Sequence, residues 1–350
     1  MLDEIIKKIQ PIDRKAMELS EKKWNSIAKP LHSLGKLEKH ITQIAGITGN
    51  VEVSLEKKAL IVMCADNGVV EEGVTQTGQE VTAIVAENFL RVNTSAAIMC
   101  RKAGVDLFPV DIGMARDTSV PDYKIAYGTK NMTHGPAMSR EEALRAVLTG
   151  IELVKEKKEA GYQILATGEM GIGNTTTSSA VASVLLGQPV SLMTGRGAGL
   201  TSDGLKHKIE IIETAIERNH PDREDALDVL AKVGGFDLAG LAGVFLGGAY
   251  YRIPVLIDGF ISAVAALAAV GLCPLAKEYM LASHVSKEPG MQMVLRALEK
   301  EASLTCDMCL GEGTGAVAYL PVLELAAEVY EKMSTFSENQ IEDYKELGDK

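Results

Sequence analysis

The tightest constraint on how this chain can fold is the run Ala59-Leu60-Ile61-Val62-Met63-Cys64-Ala65, which is apolar without alternation and is closed at once by Asp66-Asn67-Gly68. A strand with one wet face alternates polar and apolar residues, whereas one that is apolar throughout is covered on both faces, as in a parallel sheet between helices. The same order recurs along the chain. Residues 105–113 form a second run ending in acid and glycine, 162–165 a third leading into a glycine turn, 254–257 a fourth ahead of a buried helix over 263–270, and 279–286 a fifth. Helical spacing fills the intervals, over about 80–99, from Ser139 with its capping box to Glu142, over about 202–219, within 228–248 and over 317–330. Strand, polar or glycine loop, helix, repeated in this way, predicts an α/β protein with a mostly parallel, Rossmann-like sheet and helices on both faces.

The two ends read differently. Ile5, Ile6 and Ile9, then Leu34, Leu37, His40, Ile41 and Ile44, recur at three and four, so residues 1–50 are expected to be helical. With about 320–350 they would form a smaller helical part, leaving 51–319 as the α/β catalytic domain. The connection 29–35 is expected to be a loop with His32 in solvent. Residues 127–138 have little periodicity and are expected on the surface, with no partner evident for His134. The acidic tail from Lys332 has the composition of a disordered segment.

Composition narrows the function. A 46% hydrophobic content is ample for a large core, and aromatics at 5% are too few for a stacking platform. A net charge of -11 leaves no basic surface for a phosphate backbone, so no nucleic-acid partner is expected. The five cysteines are an odd number without a visible leader peptide, and the start, Met1-Leu2-Asp3-Glu4-Ile5-Ile6-Lys7-Lys8, is charged and amphipathic. Residues 253–272 are apolar enough to raise a membrane span, but Pro254, Asp258 and Gly259 interrupt them. A cytoplasmic protein is the expectation.

Residues 166–180, A-T-G-E-M-G-I-G-N-T-T-T-S-S-A, form the central loop. Glycines bring backbone close to a ligand, and free amides at a helix start attract an anion such as phosphate. Glu169 does not suit an anion and would instead hold a hydroxyl or a cationic group. The plainer alternative is a sharp connection with Asn174 or Thr175 as N-cap. Gly171-Ile172-Gly173 is followed by Asn174, Thr175 and Thr176, so the G-x-G-x-x-G fingerprint fails, a P-loop ending is also missing, and an NAD-dependent oxidoreductase is disfavoured.

A second glycine turn, 192–200, feeds the helix carrying Lys206 and Lys208, where a lysine opposes the dipole unless an anion is near. A third, 306–316, has Glu312 at its centre. Asp66 ends a strand, where ligands sit in open parallel sheets, although an Asp there can also cap a turn. Cys306 and Cys309 make a single C-x-x-C without a second pair, so both are expected to be packing thiols and no metal is assigned.

Seven stretches together resemble one family, the nicotinate-nucleotide:dimethylbenzimidazole phosphoribosyltransferases: Ser33 to Glu38, Asp66 to Thr75, Gly135 to Met138, Thr167 to Thr176, Thr194 to Leu200, Ile257 to Phe260, and Leu310 to Gly315. The resemblance spans roughly residues 20–330, in order. It implies transfer of the phosphoribosyl group of nicotinate mononucleotide to 5,6-dimethylbenzimidazole, with inversion, no cofactor and a homodimer. On matching positions it implies Glu312 as general base and Glu169 as a second acid that orients substrate. Lys208 would lie near the phosphate, cradled by Gly171, Gly173, Asn174 and Thr175 with Gly197, Ala198 and Ser286. Leu310 and Gly311 flank the base, and Thr75 to Thr82 would line the slot for the incoming heterocycle. Without the resemblance Glu312 would read as a loop acid at a nearby helix end. The chain departs from the family at Asn67 and Met291, where His is frequent, and at Cys309, where Arg is, which keeps other acceptors open: adenine, another benzimidazole or a phenol. A non-catalytic nucleotide-binding protein is the rival of another class.

Overall fold

A computed structural model of the chain describes residues 1–345. Three helices come first, α1 (Leu2–Ile6), α2 (Arg14–Ser26) and α3 (Lys36–Thr48). Strand β1 (Lys58–Ala65) is followed by α4 (Glu80–Leu90) and α5 (Ser95–Ala103), and β2 (Val105–Gly113) by α6 (Arg140–Glu159). After β3 (Ile164–Met170) come α7 (Asn174–Leu186), α8 (Val190–Met193), α9 (Ser202–Asn219), α10 (Ala226–Val233) and α11 (Phe236–Tyr251). Strand β4 (Val255–Ile257) leads into α12 (Phe260–Leu272), β5 (Met280–Ala282) into α13 (Met291–Ala297), and α14 (Thr314–Lys332) is the last helix.

The five strands form one sheet in the order β2-β1-β3-β4-β5, parallel at every pairing. The period of two along a strand sorts its residues into two cores. Ala59, Ile61, Met63 and Ala65 of β1 pack with α6, α11 and α12, while Leu60, Val62 and Cys64 pack with α3, α5 and α14. That double burial is why the run carries no polar residue. Helices α6 and α11 lie almost in backbone contact, for a Cβ added to Gly150 would stand 2.0 Å from the carbonyl oxygen of Gly240. The loops after β1 and β3 leave the sheet in opposite directions, and the crevice between them at the carboxyl ends of the strands is where open parallel sheets take ligands.

Several expectations change. The helix expected over 80–99 is two helices, because the Thr94 side chain accepts from the Ala97 amide and starts α5 afresh. Strand β3 continues to Met170, and Gly173, at φ 92°, is the N-cap of α7 instead of Asn174 or Thr175. Paired with Met63 of β1, Glu169 is thus a strand residue. The segment 127–138 is irregular but not superficial: Met132, Ala137 and Met138 are buried, tied down by the Met138 amide donating to Ala231 O. His134 Nε2 stands 3.9 Å from Glu72 Oε1. The tail also packs: Phe336 is buried and donates its amide to Ser26 O beside the antiparallel bridge between Ile27 and Thr335, the Ile341 amide donates to Phe336 O, and the Tyr344 ring lies 4.9 Å from that of Phe336. The remainder of the expected disorder, over 346–350, lies outside the described residues. Among the described residues no helix is long and apolar enough to cross a membrane; residues 253–272 are β4 and α12.

Replacing Gly150 by Ala forces a methyl group against the α11 backbone. The substitution is expected to lower the unfolding free energy by about 1–3 kcal/mol, although alanine is the better helix former. Chemical denaturation would measure this, and an unchanged midpoint would mean that the two helices separate freely.

Candidate active site

A cavity of about 300 Å³ opens at the carboxyl ends of β3, β4 and β5, with the loop after β1 closing one side through Val74 to Thr77. Strand β3 delivers Glu169 to its floor, 6% exposed, where Oε2 accepts from Asn174 Nδ2 in the first turn of α7. The Glu312 amide donates to the same carboxyl. Burial, reinforced by Asp237 and Asp258, pushes Glu169 well above the usual carboxylate range and outweighs those two donors. The third glycine turn lies directly over this acid: a Cβ on Gly311 would come within 2.5 Å of Glu169 Oε1, so the chain can approach only as glycine.

Glu312 follows with φ at 60°, left-handed for a residue with a side chain, a conformation that costs of order 1–3 kcal/mol and concentrates at functional sites. Its half-buried carboxyl lines the cavity, and Oε2 accepts from the Ala96 amide at 3.5 Å, at the start of α5. The helix-end contact that the sequence suggested and a place on the cavity wall therefore coexist. Burial raises the carboxyl, the Ala96 amide opposes it, and the net direction is upward.

Asp258, immediately beyond β4, holds this turn in place. Its Oδ1 accepts from the Ala316 amide at 2.9 Å, and the amides of Gly315, Gly259 and Gly313 also donate to it. Burial nevertheless lifts it to about 6. Behind the floor, Asp237 at the head of α11 accepts from the Leu238 amide and is likewise raised to about 6 by burial.

On the opposite wall Lys208 reaches in from α9, 1% exposed. Its ammonium donates to Thr175 Oγ1 at 2.7 Å and to Gly195 O at 3.4 Å, and among the described residues no carboxylate forms an ion pair with it. Burial lowers it to about 8, with the charge of Glu288 working against that. A buried cation with neutral partners is costly unless an anion comes to it.

Glu312, Glu169, Gly171, Gly173, Asn174, Thr175, Gly197, Ala198, Lys208, Ser286, Leu310, Gly311 and Thr75 all line this one cavity. Along 75–82 the lining stops at Thr77; Thr82 is fully buried and accepts from the Ile172 amide. Asp66 takes its plainer reading, since it is buried away from the cavity wall with Oδ2 accepting from the Ala115 amide. Lys206 points into solvent. Cys306 and Cys309 are exposed, not packing thiols, because their loop runs along the mouth, and Cys309 lines the cavity. Among the described residues no group of three or more His, Cys, Asp or Glu side chains is arranged to hold a metal. Sequence reasoning missed Asp258, which the rule applied to Asp66 would have found, since it too follows a strand. It also missed Arg196, Met170, Phe260, His284 and Glu288 on the wall. For Glu288 no spacing signals its position.

The sequence profile of a phosphoribosyltransferase family matches residues 9–341. The chain is similar to the nicotinate-nucleotide–dimethylbenzimidazole phosphoribosyltransferase of Ruminiclostridium cellulolyticum, at 48% identity over 348 residues and 99% of each chain. A protein of the same name from Clostridium acetobutylicum is 49% identical over 349 residues, again 99% of each. The fold is similar to a crystal structure of CobT from Thermus thermophilus, with a TM-score of 0.89, 36% identity, and coverage of 94% of this chain and 100% of that one. Full-length similarity of this kind, on a sheet whose cavity gathers the matching loops, makes the chain a member of the nicotinate-nucleotide–dimethylbenzimidazole phosphoribosyltransferase family, enzymes of the pentosyltransferase type.

Proposed function

We propose that this chain moves the phosphoribosyl group of nicotinate mononucleotide to 5,6-dimethylbenzimidazole, giving α-ribazole 5′-phosphate and nicotinate, with inversion and with Glu312 as general base. The observation that carries the reading is one cavity holding a desolvated carboxyl, Glu312, and a buried lysine, Lys208, that has no carboxylate ion-paired to it among the described residues. The lysine, with the positive end of α7 beside it, suits the 5′-phosphate. One ring nitrogen of the base attacks the anomeric carbon while the bond to the pyridinium nitrogen breaks and its electron pair returns to that ring. Nicotinate leaves neutral at nitrogen and needs no acid. The proton on the base's second nitrogen passes to the Glu312 carboxylate. Such a displacement develops oxocarbenium character, with nucleophile and leaving group on opposite faces of the sugar, hence inversion. Glu169, driven upward by burial and held by the Asn174 side chain, is suited to orient substrate by hydrogen bonding, and Val74, Met170 and Leu310 offer apolar surface for a flat ring.

Cys309 on the wall favours a second reading within the same chemistry, transfer to adenine, another benzimidazole or a phenol. Turnover with nicotinate mononucleotide and a panel of these bases distinguishes them. We further propose a cytoplasmic homodimer and a division into a helical part, 1–50 with about 320–350, and a catalytic part, 51–319. The pairing of Trp24 with Tyr330 and of Ser26 with Phe336 supports that grouping of the two ends. Exposed Ile84, Ile98 and Leu325, on the neighbouring helices α4, α5 and α14, support a second copy as partner.

Glu312→Gln is expected to reduce kcat by about 10²–10⁴-fold while nucleotide affinity stays within a few-fold; full turnover would remove Glu312 from the chemistry. Because burial raises this carboxyl and a base must be ionised, kcat/KM should fall on the acid side around a midpoint above the ordinary Glu value, and the variant should lack that limb. Sedimentation should give the mass of two copies, and the pair Ile98→Glu with Leu325→Glu should give one; a monomeric parent protein would dismiss the dimer.

A further inference from the structure

We propose that Glu288 binds the phosphate end of the incoming nucleotide as a neutral acid, so that docking of the nucleotide draws a proton from solvent. This deepens the reading that the cavity takes nicotinate mononucleotide and rests on it.

Glu288 lies in the loop between β5 and α13, half-buried on the cavity wall. A Cβ added to Gly195 would stand 1.9 Å from its Oε2, so the carboxyl is laid against the second glycine turn. The carbonyl of that same Gly195 accepts from Lys208. Acid and lysine therefore flank a single residue where the phosphate is expected. Among the described residues no donor reaches the Glu288 carboxyl, although its own amide donates to Ser286 Oγ. Arg196, His284, Asp258, Glu169 and Glu312 share the wall, but Lys208 is the group whose charge acts on Glu288.

Lys208 and Glu288 stand on either side of Gly195, both desolvated, and the lysine's charge is what opposes the effect of burial on the acid. A phosphate arriving at Lys208 takes over the lysine and sets its own charge beside Glu288, with no protein donor to offset the repulsion. Burial already raises Glu288 toward its neutral form, so protonation is the least costly response. The neutral acid then has an O–H to donate to a phosphate oxygen. Lys208, at about 8, is mostly charged at neutral pH and contributes little uptake there. The sign follows: binding that takes up a proton weakens as pH rises past the value of the free acid.

Titration calorimetry at pH 7, repeated in two buffers of different ionisation heat, counts the protons. Sulfate is the first probe, because it carries no proton that titrates in this range, and nicotinate mononucleotide the second. The full chain is expected to take up protons on binding sulfate, by an amount that Glu288→Gln lacks while still binding sulfate. With the nucleotide, uptake by the variant should be lower by the same amount. Absence of uptake by the unaltered chain with sulfate, or equal uptake by both proteins, would overturn the proposal whether or not other variants fold. Uptake with sulfate but no binding of the nucleotide would instead reject the nucleotide reading while the acid's role at an anion site stood.

Discussion

Burying carboxyl groups at the edge of a parallel sheet is the constraint from which the rest of this cavity follows. Each such group costs several kcal/mol unless donors reach it, and here the donors are backbone amides at helix starts. Asp258 takes those of α14, Asp237 one from α11, and Glu312 one from α5. Three helices are thereby pinned with their positive ends toward the same space. Helix α7 is arranged differently, with glycine at its N-cap, no acid in its first turn and Lys208 on Thr175. Three helix starts therefore hold acids of the chain itself, whereas the start of α7 has a lysine beside it.

Raised carboxyls also set the chemistry that the cavity can perform. Glu169 and Glu312 sit close enough that the amide of one donates to the carboxyl of the other, yet their surroundings differ. Glu169 is closed in and driven well upward, whereas Glu312 is half open and driven upward against a helix amide. Two acids that ionise at different pH can divide the work of holding a hydroxyl and accepting a proton. The left-handed turn of 311–313 presents one and covers the other, and its strain is offset by the amides that Asp258 fixes.

Most of the sheet was legible because unbroken apolar runs admit few interpretations. β2 keeps the bounds expected of it, and β1 extends its run by one residue, to Lys58. Strand β3 was read too short, since Gly168 and Glu169 look like a loop in isolation; pairing with β1 and the donors around Glu169 carry the strand through them. The break at Thr94 was readable as a cap signal within an otherwise continuous helical pattern. The cavity's loops were legible through resemblance and through their position after strands. Glu288 was not, because its place depends on one glycine turn folding against a loop about ninety residues later, which no local spacing encodes.

The clasp between the two ends of the chain has a consequence for how the molecule is made. Tyr330 donates to Ser20 across 310 residues, and Phe336 reaches back to Ser26. Leu60, Val62 and Ile164 share their core with Trp24, Ile27 and Tyr330. On the ribosome, that side of the nascent sheet must wait uncovered until α14 has emerged, while the α6 and α11 side can close earlier. Long-range closure of this kind is slow and leaves apolar surface open to aggregation in the meantime. The newborn chain is therefore most vulnerable on the side away from α6 and α11, and a chaperone would be needed there last.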